Sequence, residues 1–265
     1  MALETNLIRA YNFEESSGAI IDATGTDNAT NTGATYGVTG KIGKCLDFET
    51  TEKDFVASNS NTGINGSESW SMNAWIKAES VFNFSSIMSL GTQGSVNKVI
   101  GISIRSGTNR LFINTWGGVG STDIDAGTTL IGNWVMITMT YDGTNLKVYV
   151  NGNSTPVYSG TGTLTLTDNK FRIGEVGGYT AGQYFDGLID MPYLWDTRAI
   201  STTEIAELYN SGNGLAYPFS TGTNCKINIG DTFKDVSEFK INIGDDWKAV
   251  SSIKQNIGDS WKTVF

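Results

Sequence analysis

The chain has 265 residues, of which 17% are charged and none is histidine, and its formal net charge is −9. Without histidine, neither a Ser-His-Asp triad nor a Cys-His pair can form, and two cysteines alone cannot complete a structural zinc site. The acidic charge argues against nucleic acid as a partner. No run approaches the ~20 apolar residues needed for membrane insertion.

The N-terminal segment has no pattern of a secretory leader, because Glu4 and Arg9 stand where a signal peptide needs an apolar core. The two cysteines, Cys45 and Cys225, can either pair or remain as buried thiols.

Short alternating strands broken by turn residues make up most of the chain. The clearest case is the run WVMITMTY (134–141), which is followed by Asp142-Gly143, by LKVYV (146–150) and by Asn151-Gly152. Period-two alternation around such dipeptides predicts β-hairpins. The other predicted strands are SWSMNAWIKA (69–78), VIGISIR (99–105), RLFINTW (110–116), TLTLT (163–167) and KFRIGE (170–175). Many antiparallel strands at this spacing predict an all-β fold, a two-sheet sandwich or jelly roll.

One helix is predicted near 202–210. Ser201 and Glu204 have the spacing of a capping box, in which each side chain accepts a hydrogen bond from a free backbone N–H. The segment IAELYN follows with its apolar residues on one face, and Gly212 can end the helix.

The C-terminal 40 residues repeat with a period of 14. KINIGD occurs at 226–231 and 240–245, and KQNIGD occurs at 254–259. Each copy predicts a strand, a Gly-Asp turn and a second strand, which is too small to be stable alone. The copies must pack on each other, on the preceding domain or on other chains. We therefore expect a jelly roll over 1–217, a linker over 218–225 and three hairpin repeats over 226–265.

The acidic residues do not form an evident catalytic pair. A glycosidase needs two carboxyl groups ~5–9.5 Å apart. Asp123 and Asp125 lie in a Gly-rich segment, and Asp186 and Asp190 flank Gly187. Solvated loop acids or cation ligands explain these positions without catalysis, and we expect no enzyme activity.

Cation ligands are a second possibility for these acids. Calcium takes 6–8 oxygen ligands, and Asp22, Asp27 and Asn28 lie in a single loop, IDATGTDNAT. Asp190 lies in an apolar surround (GLIDMPYLW) and needs a partner, either a cation or a set of backbone N–H groups.

Sugar binding is suggested by aromatic residues in Gly-rich loops, because an aromatic face stacks on a pyranose ring. The candidates are Trp116, Tyr179 and Tyr184. Phe233, Trp247 and Trp261 recur at one position of the 14-residue repeat, where we expect packing in oligomerisation or attachment rather than an exposed ligand array.

The order of motifs resembles the laminin-G-like, concanavalin A-like jelly-roll family over about residues 5–215. The motifs are AYNFEESSG with IDATG, GKIGKCLDFE, SWSMNAWIKA, NWVMITMTYDGTNLKVYVNG and YFDGLIDMPYLWDTRAISTTEIAELYNSG. The resemblance implies two face-to-face antiparallel sheets and a structural calcium ion. The positions that match its ligands are Asp22, Asp190 and, less closely, Asn28. Related enzymes carry a Glu-x-Asp-x-Glu strand, which this sequence lacks.

The tail resembles INIGDxWKxV repeats at the ends of phage and bacterial surface proteins. Together with the jelly roll, this resemblance implies a virion surface protein: a phage capsid decoration, a head fibre or a tail fibre component. The expected partners are host or mucus glycans and virion proteins, and the expected assembly is a homo-oligomer, a trimer. The alternatives are a secreted bacterial adhesin or polysaccharide-binding module at the cell surface, and a cementing protein without a ligand.

Overall fold

The computed structural model describes residues 3–92, 94–116, 118–166, 170–177 and 183–219, together with the backbone of six strands between 225 and 263. The chain divides into two compact units, Met1–Pro218 and Phe219–Phe265.

The first unit is an all-β sandwich of two antiparallel sheets with one short helix, as the sequence predicts. The strands are β1 Leu7–Ala10, β2 Ala29–Thr32, β3 Thr35–Thr39, β4 Lys44–Phe48, β5 Phe55–Ser58, β6 Trp70–Ala78, β7 Phe84–Gly91, β8 Val99–Arg105, β9 Arg110–Asn114, β10 Asp123–Ile124, β11 Val135–Tyr141, β12 Asn145–Val150, β13 Tyr158–Thr161, β14 Arg172–Ile173 and β15 Gly187–Asp196. The helix α1 spans Thr202–Tyr209.

The first sheet has the order β13-β12-β11-β6-β15-β4-β3, with β1 also paired to β15, and the second has the order β10-β9-β8-β7-β14-β5-β2. Alternation sets the faces of both sheets. In β6, Met72, Ala74 and Ile76 belong to the core cluster between the sheets, whereas Ser71 and Asn73 lie on the opposite face. The core is therefore built from the period-two residues that the sequence pattern identifies.

The predicted strand TLTLT does not belong to either sheet. Its only pairing within the described residues is an isolated bridge between Leu166 and Gly66. Leu164 and Leu166 are buried in the core, because this segment crosses from β13 in the first sheet to β14 in the second. The alternation of Leu and Thr in this segment therefore reflects the burial of its leucines in the core, and not membership of a sheet. KFRIGE contributes only the two residues of β14.

The helix α1 covers the outer face of the first sheet. Ser201 caps the helix and Glu204 completes the capping box. Ile205 and Leu208 are buried, and Tyr209 stacks on Trp75 with ring centroids 5.5 Å apart. Trp75 is 2% exposed and is therefore a packing residue.

Within the described residues, no helix is both long enough and apolar enough to cross a bilayer.

The second unit contains three separate two-stranded antiparallel sheets. The pairs are β16 Cys225–Ile229 with β17 Thr232–Val236, β18 Lys240–Ile243 with β19 Asp246–Ala249, and β20 Lys254–Ile257 with β21 Ser260–Thr263. Phe233, Trp247 and Trp261 occupy the same register position, each opposite an asparagine. The side chains of this unit lie outside the described structure.

Candidate carbohydrate-binding surface

The outer face of the second sheet carries a row of small polar residues. Strand register places Phe112, Ser103 and Ser86 side by side on β9, β8 and β7. The hydroxyl groups of Ser86 and Ser103 lie 3.1 Å apart. At one end of the row, the Arg105 guanidinium lies over the rings of Phe84 and Phe112, at 5.7 and 5.9 Å from their centroids. Ser86 and Ser103 are both 0% exposed, so this row of hydroxyl groups is covered and does not form an open binding surface.

Trp116 lies just beyond the end of β9 and is 46% exposed. Its backbone has a φ of 56°, a left-handed conformation that is uncommon for a bulky residue. Asn114, two residues earlier, donates from its amide to the Gln183 side chain at 3.1 Å. Trp116 is therefore about half exposed at the end of β9, and its role as a sugar-stacking residue stays a prediction.

The other two predicted sugar-binding aromatics have different outcomes. Tyr184 is only 9% exposed, and burial raises the pKa of its hydroxyl. It therefore packs beneath the surface and offers no open ring. Tyr179 lies outside the described residues.

The segment 183–186 contacts residues that line a pocket. The Tyr184 carbonyl accepts a hydrogen bond from the Thr50 hydroxyl at 3.2 Å. Asp186 accepts from the Thr50 backbone N–H at 3.3 Å with Oδ1 and from the Ser80 hydroxyl with Oδ2. Two loops from different parts of the chain thus meet at one carboxylate.

The pocket encloses about 270 Å³ and is lined by Thr50, Thr51, Ser80 and Phe82. Phe82 is 58% exposed, more than any other large apolar residue in the described part of the chain. Its backbone N–H donates to the Ser85 hydroxyl at 3.2 Å, which holds the loop before β7. An open aromatic ring, a fixed carboxylate and several hydroxyls are groups that can together bind a sugar.

Additional acids lie close enough to Asp186 to interact with it electrostatically. Burial raises the pKa of Asp47, and the charges of Glu79 and Asp186 raise it further. Burial also raises the pKa of Glu49, with added repulsion from Asp186 and Asp47. This mutual repulsion indicates a concentrated negative charge that disfavours an anionic ligand.

Sequence reasoning missed Phe82 and assigned Asp186 only to a weak catalytic pair. The segment VFNFSS places an aromatic residue among Ser and Asn between two strands but contains no glycine, so the Gly-rich context that identified Trp116 is absent there. The meeting of Thr50, Ser80 and Asp186 has no sequence signal, because it depends on contacts over more than 100 positions.

A second groove lies at the end of β8 and β9. It encloses about 360 Å³ and is lined by Thr108, Asn109, Arg110 and the loop 125–131. Its lining has no aromatic ring, so it lacks a stacking surface for a sugar.

The acids that were considered for catalysis have other roles. Asp123 pairs with Arg105 at 3.1 Å, and Asp125 pairs with Arg110 at 3.4 Å. Asp190 is fully buried, and its Oδ2 accepts from the backbone N–H groups of Lys41 and Ile42 at 2.8 and 3.1 Å. Asp186 and Asp190 therefore have separate partners, and Asp190 does not face solvent.

The predicted calcium ligand Asp22 is bound by groups of the protein itself. The two carboxylate oxygens of Asp22 accept four hydrogen bonds of 2.9–3.0 Å. The Asn28 side-chain oxygen accepts from the Asp22 backbone N–H at 3.0 Å. The oxygens that a cation would need are thus already bound within the protein.

The second predicted calcium ligand, Asp190, has hydrogen-bond partners of its own. Its Oδ1 is buried without a hydrogen bond, while the partners of Oδ2 come from the segment before β4. Within the described ranges, no three His, Cys, Asp or Glu side chains gather closely enough to hold a metal.

Cys45 is buried and unpaired, and burial raises the pKa of its thiol to about 12.

Comparison with known proteins identifies the family of the sandwich. The family profile described as "Concanavalin A-like lectin/glucanases superfamily" matches residues 50–206, more than half of the chain. The protein belongs to this superfamily. No curated protein matched in the sequence comparison.

Several solved structures share the fold. Domain 4 of AbnA, a GH43 extracellular arabinanase from Geobacillus stearothermophilus solved with arabinotriose, has a TM-score of 0.57 and 21% identity, with 76% of this chain and 97% of that chain covered. The binding domain of Paraclostridial Mosquitocidal Protein 1 has a TM-score of 0.57 and 15% identity, with 78% and 52% covered. Trypanosoma rangeli sialidase in complex with sialic acid has a TM-score of 0.61 and 14% identity, with 79% of this chain and 33% of that chain covered. The fold is thus shared by glycoside hydrolases and binding domains alike.

Proposed function

We propose that the protein is a non-enzymatic, carbohydrate-binding component of a virion surface, as a phage capsid decoration, a head fibre or a tail fibre. The observation that carries the sugar-binding role is the pocket at Phe82, where an exposed ring shares the lining with Thr50 and Ser80, the two residues that donate hydrogen bonds to the Asp186 carboxylate. A sugar ring stacks on Phe82, and its hydroxyl groups bond to Asp186, Thr50 and Ser80.

The charge around the pocket defines the class of glycan. Asp47, Glu49, Glu79 and Asp186 influence one another electrostatically, and no ion pair joins any of them to Lys or Arg in the described part of the chain. A carboxylated sugar would be repelled by these acids. The proposed ligand is therefore a neutral glycan rather than a sialylated or uronic-acid-rich one.

The proposed virion role rests on the INIGDxWKxV repeats and on their separation from the sandwich. The repeats form a unit of their own with six strands in three pairs. A trimer held together by this unit would present several weak sugar sites at once, and effective concentration would then raise the overall affinity. Phe233, Trp247 and Trp261 are the proposed contact residues for assembly or attachment.

The sugar-binding role is tested on a glycan array with the labelled full-length protein. We expect binding to neutral glycans, and we expect Phe82→Ala to weaken the affinity for the best ligand about tenfold, equivalent to ~1.4 kcal/mol. Asp186→Asn should weaken it as well. Ile21→Ala is the matched control, because Ile21 is an exposed apolar residue (50%) elsewhere on the domain.

Four outcomes would each contradict part of this function. Equal affinities of the wild type and Phe82→Ala would remove the pocket from the interaction, and preferential binding of sialylated glycans would contradict the charge argument. Release of reducing sugar from a bound polysaccharide would show catalysis and reject the non-enzymatic role. Absence of any glycan ligand, combined with stabilised capsids, would favour the cementing protein.

A further inference from the structure

We propose that the guanidinium group of Arg9 is the built-in cation of the first acidic loop, residues 20–29, so that this loop folds without calcium. The fold family implies a calcium ion here, but the donors around the loop lead to the opposite conclusion. This inference is independent of the proposed sugar-binding function.

The carboxylate of Asp22 is saturated by the protein. Oδ1 accepts from the backbone N–H groups of Ala10 and Thr24, at 2.9 and 3.0 Å. Oδ2 accepts from the Thr24 hydroxyl at 2.9 Å and from the Asp27 backbone N–H at 3.0 Å. Two hydrogen bonds to each oxygen use its lone pairs, and calcium requires 6–8 oxygen ligands. Asp22 is 2% exposed, so this network replaces its hydration shell.

The positive charge beside the loop comes from Arg9. This residue lies on β1 and is only 3% exposed. One terminal nitrogen lies 3.2 Å from Asp27 Oδ2, and the other donates to the Ile8 carbonyl at 2.7 Å. A buried arginine is costly unless it is paired, so its position opposite Asp27 indicates a structural role.

Asp27 joins the guanidinium to the rest of the domain. Its Oδ2 also accepts from the Ser60 backbone N–H at 3.0 Å, and its carbonyl accepts from the Tyr11 hydroxyl at 3.1 Å. The loop is thus closed onto β1 and onto the segment after β5 by groups of the chain itself. These are the connections that a bound cation would otherwise make.

The test compares thermal unfolding of the full-length protein with and without calcium or a chelator. For the wild type, we expect the same Tm in both conditions and no stoichiometric calcium by mass spectrometry. Arg9→Met leaves Asp27 unpaired in a nearly buried place, and its Tm should fall by roughly 5–15 °C. The double variant Arg9→Met/Asp27→Asn should regain part of this loss, because it removes the unpaired charge as well.

Arg110→Met is the matched control. It breaks an ion pair with Asp125 in which the two side chains are 50% and 71% exposed, and it should change the Tm little. If Arg9→Met does not fold, the wild-type calcium response and the single variant Asp27→Asn still decide the question. A rise of the wild-type Tm with calcium that disappears in Asp27→Asn would overturn the proposal. An Arg9→Met variant as stable as Arg110→Met would overturn it too.

Discussion

Replacing Asp190 by asparagine should change how stability depends on pH. Asp190 is fully buried on β15, with one oxygen bound by two backbone N–H groups and the other without a partner. Burial raises its pKa from the ordinary value of 3.8 to about 7, against the lowering effect of the hydrogen bonds from Ile42 and Lys41. The negative charge of Glu14 adds to the rise.

The direction in which stability changes with pH follows from the pH at which Asp190 releases its proton in the folded and in the unfolded chain. Below about pH 4 the carboxyl group is protonated in the folded and the unfolded protein, and its contribution to stability is fully present. As the pH rises toward 7, the unfolded chain releases the proton first, so stability is lost across this window. Above pH 7 the loss is complete. Each pH unit within the window corresponds to ~1.4 kcal/mol, so the wild type should lose ~3 kcal/mol between pH 5 and pH 8 through this residue alone.

Urea unfolding across this range measures the effect directly. Asp190→Asn stays neutral, so its free energy of unfolding should match that of the wild type only below about pH 4, and its advantage over the wild type should grow by up to ~3 kcal/mol between pH 5 and pH 8. Asp125→Asn is the control, because the Asp125 side chain is 71% exposed and should give a curve parallel to the wild type. A constant difference between wild type and Asp190→Asn at every pH would refute the reasoning.

Three further predictions concern the helix, the surface and the tail. Ser201→Ala removes the N-cap of α1 and should lower the free energy of unfolding by ~1 kcal/mol in chemical denaturation, whereas an unchanged value would mean that the cap is dispensable. Trp116→Ala should weaken neutral glycan binding by titration calorimetry, and an unchanged affinity would restrict the site to the Phe82 pocket. The full chain should have the light-scattering mass of a trimer and a 1–219 truncation that of a monomer. A monomer in both cases would reject assembly through the repeats.

The fold could be predicted because residues of the core between the sheets alternate along the strands with residues of the outer face. The residues Met72, Ala74 and Ile76 alternate with polar residues, and the capping box at Ser201 marks the helix start within one residue. TLTLT shows the limit of this reasoning, because its leucines are buried at a crossover where no strand pairs with it over its length. An alternating pattern indicates which side chains face the core. It does not indicate whether the segment pairs with another strand, because the neighbouring strand cannot be identified from the pattern.

The candidate site could be predicted only in part. Trp116 is exposed because a Gly-rich loop carries it out of the sheet, but Tyr184 occupies a similar sequence context and is buried by packing. The pocket needs Thr50, Ser80 and Asp186 together, and only the fold brings them into contact. The calcium ligands suggested by resemblance depend on which atoms donate to Asp22, which no motif specifies.

The most direct test of the sugar-binding account is a crystal structure of the full-length protein soaked with the best neutral glycan from the array. The account predicts density for a sugar ring over Phe82, with a hydroxyl group within hydrogen-bond distance of Asp186. Density for the glycan in the groove between Thr108 and Ile131, with the Phe82 pocket empty, would contradict it.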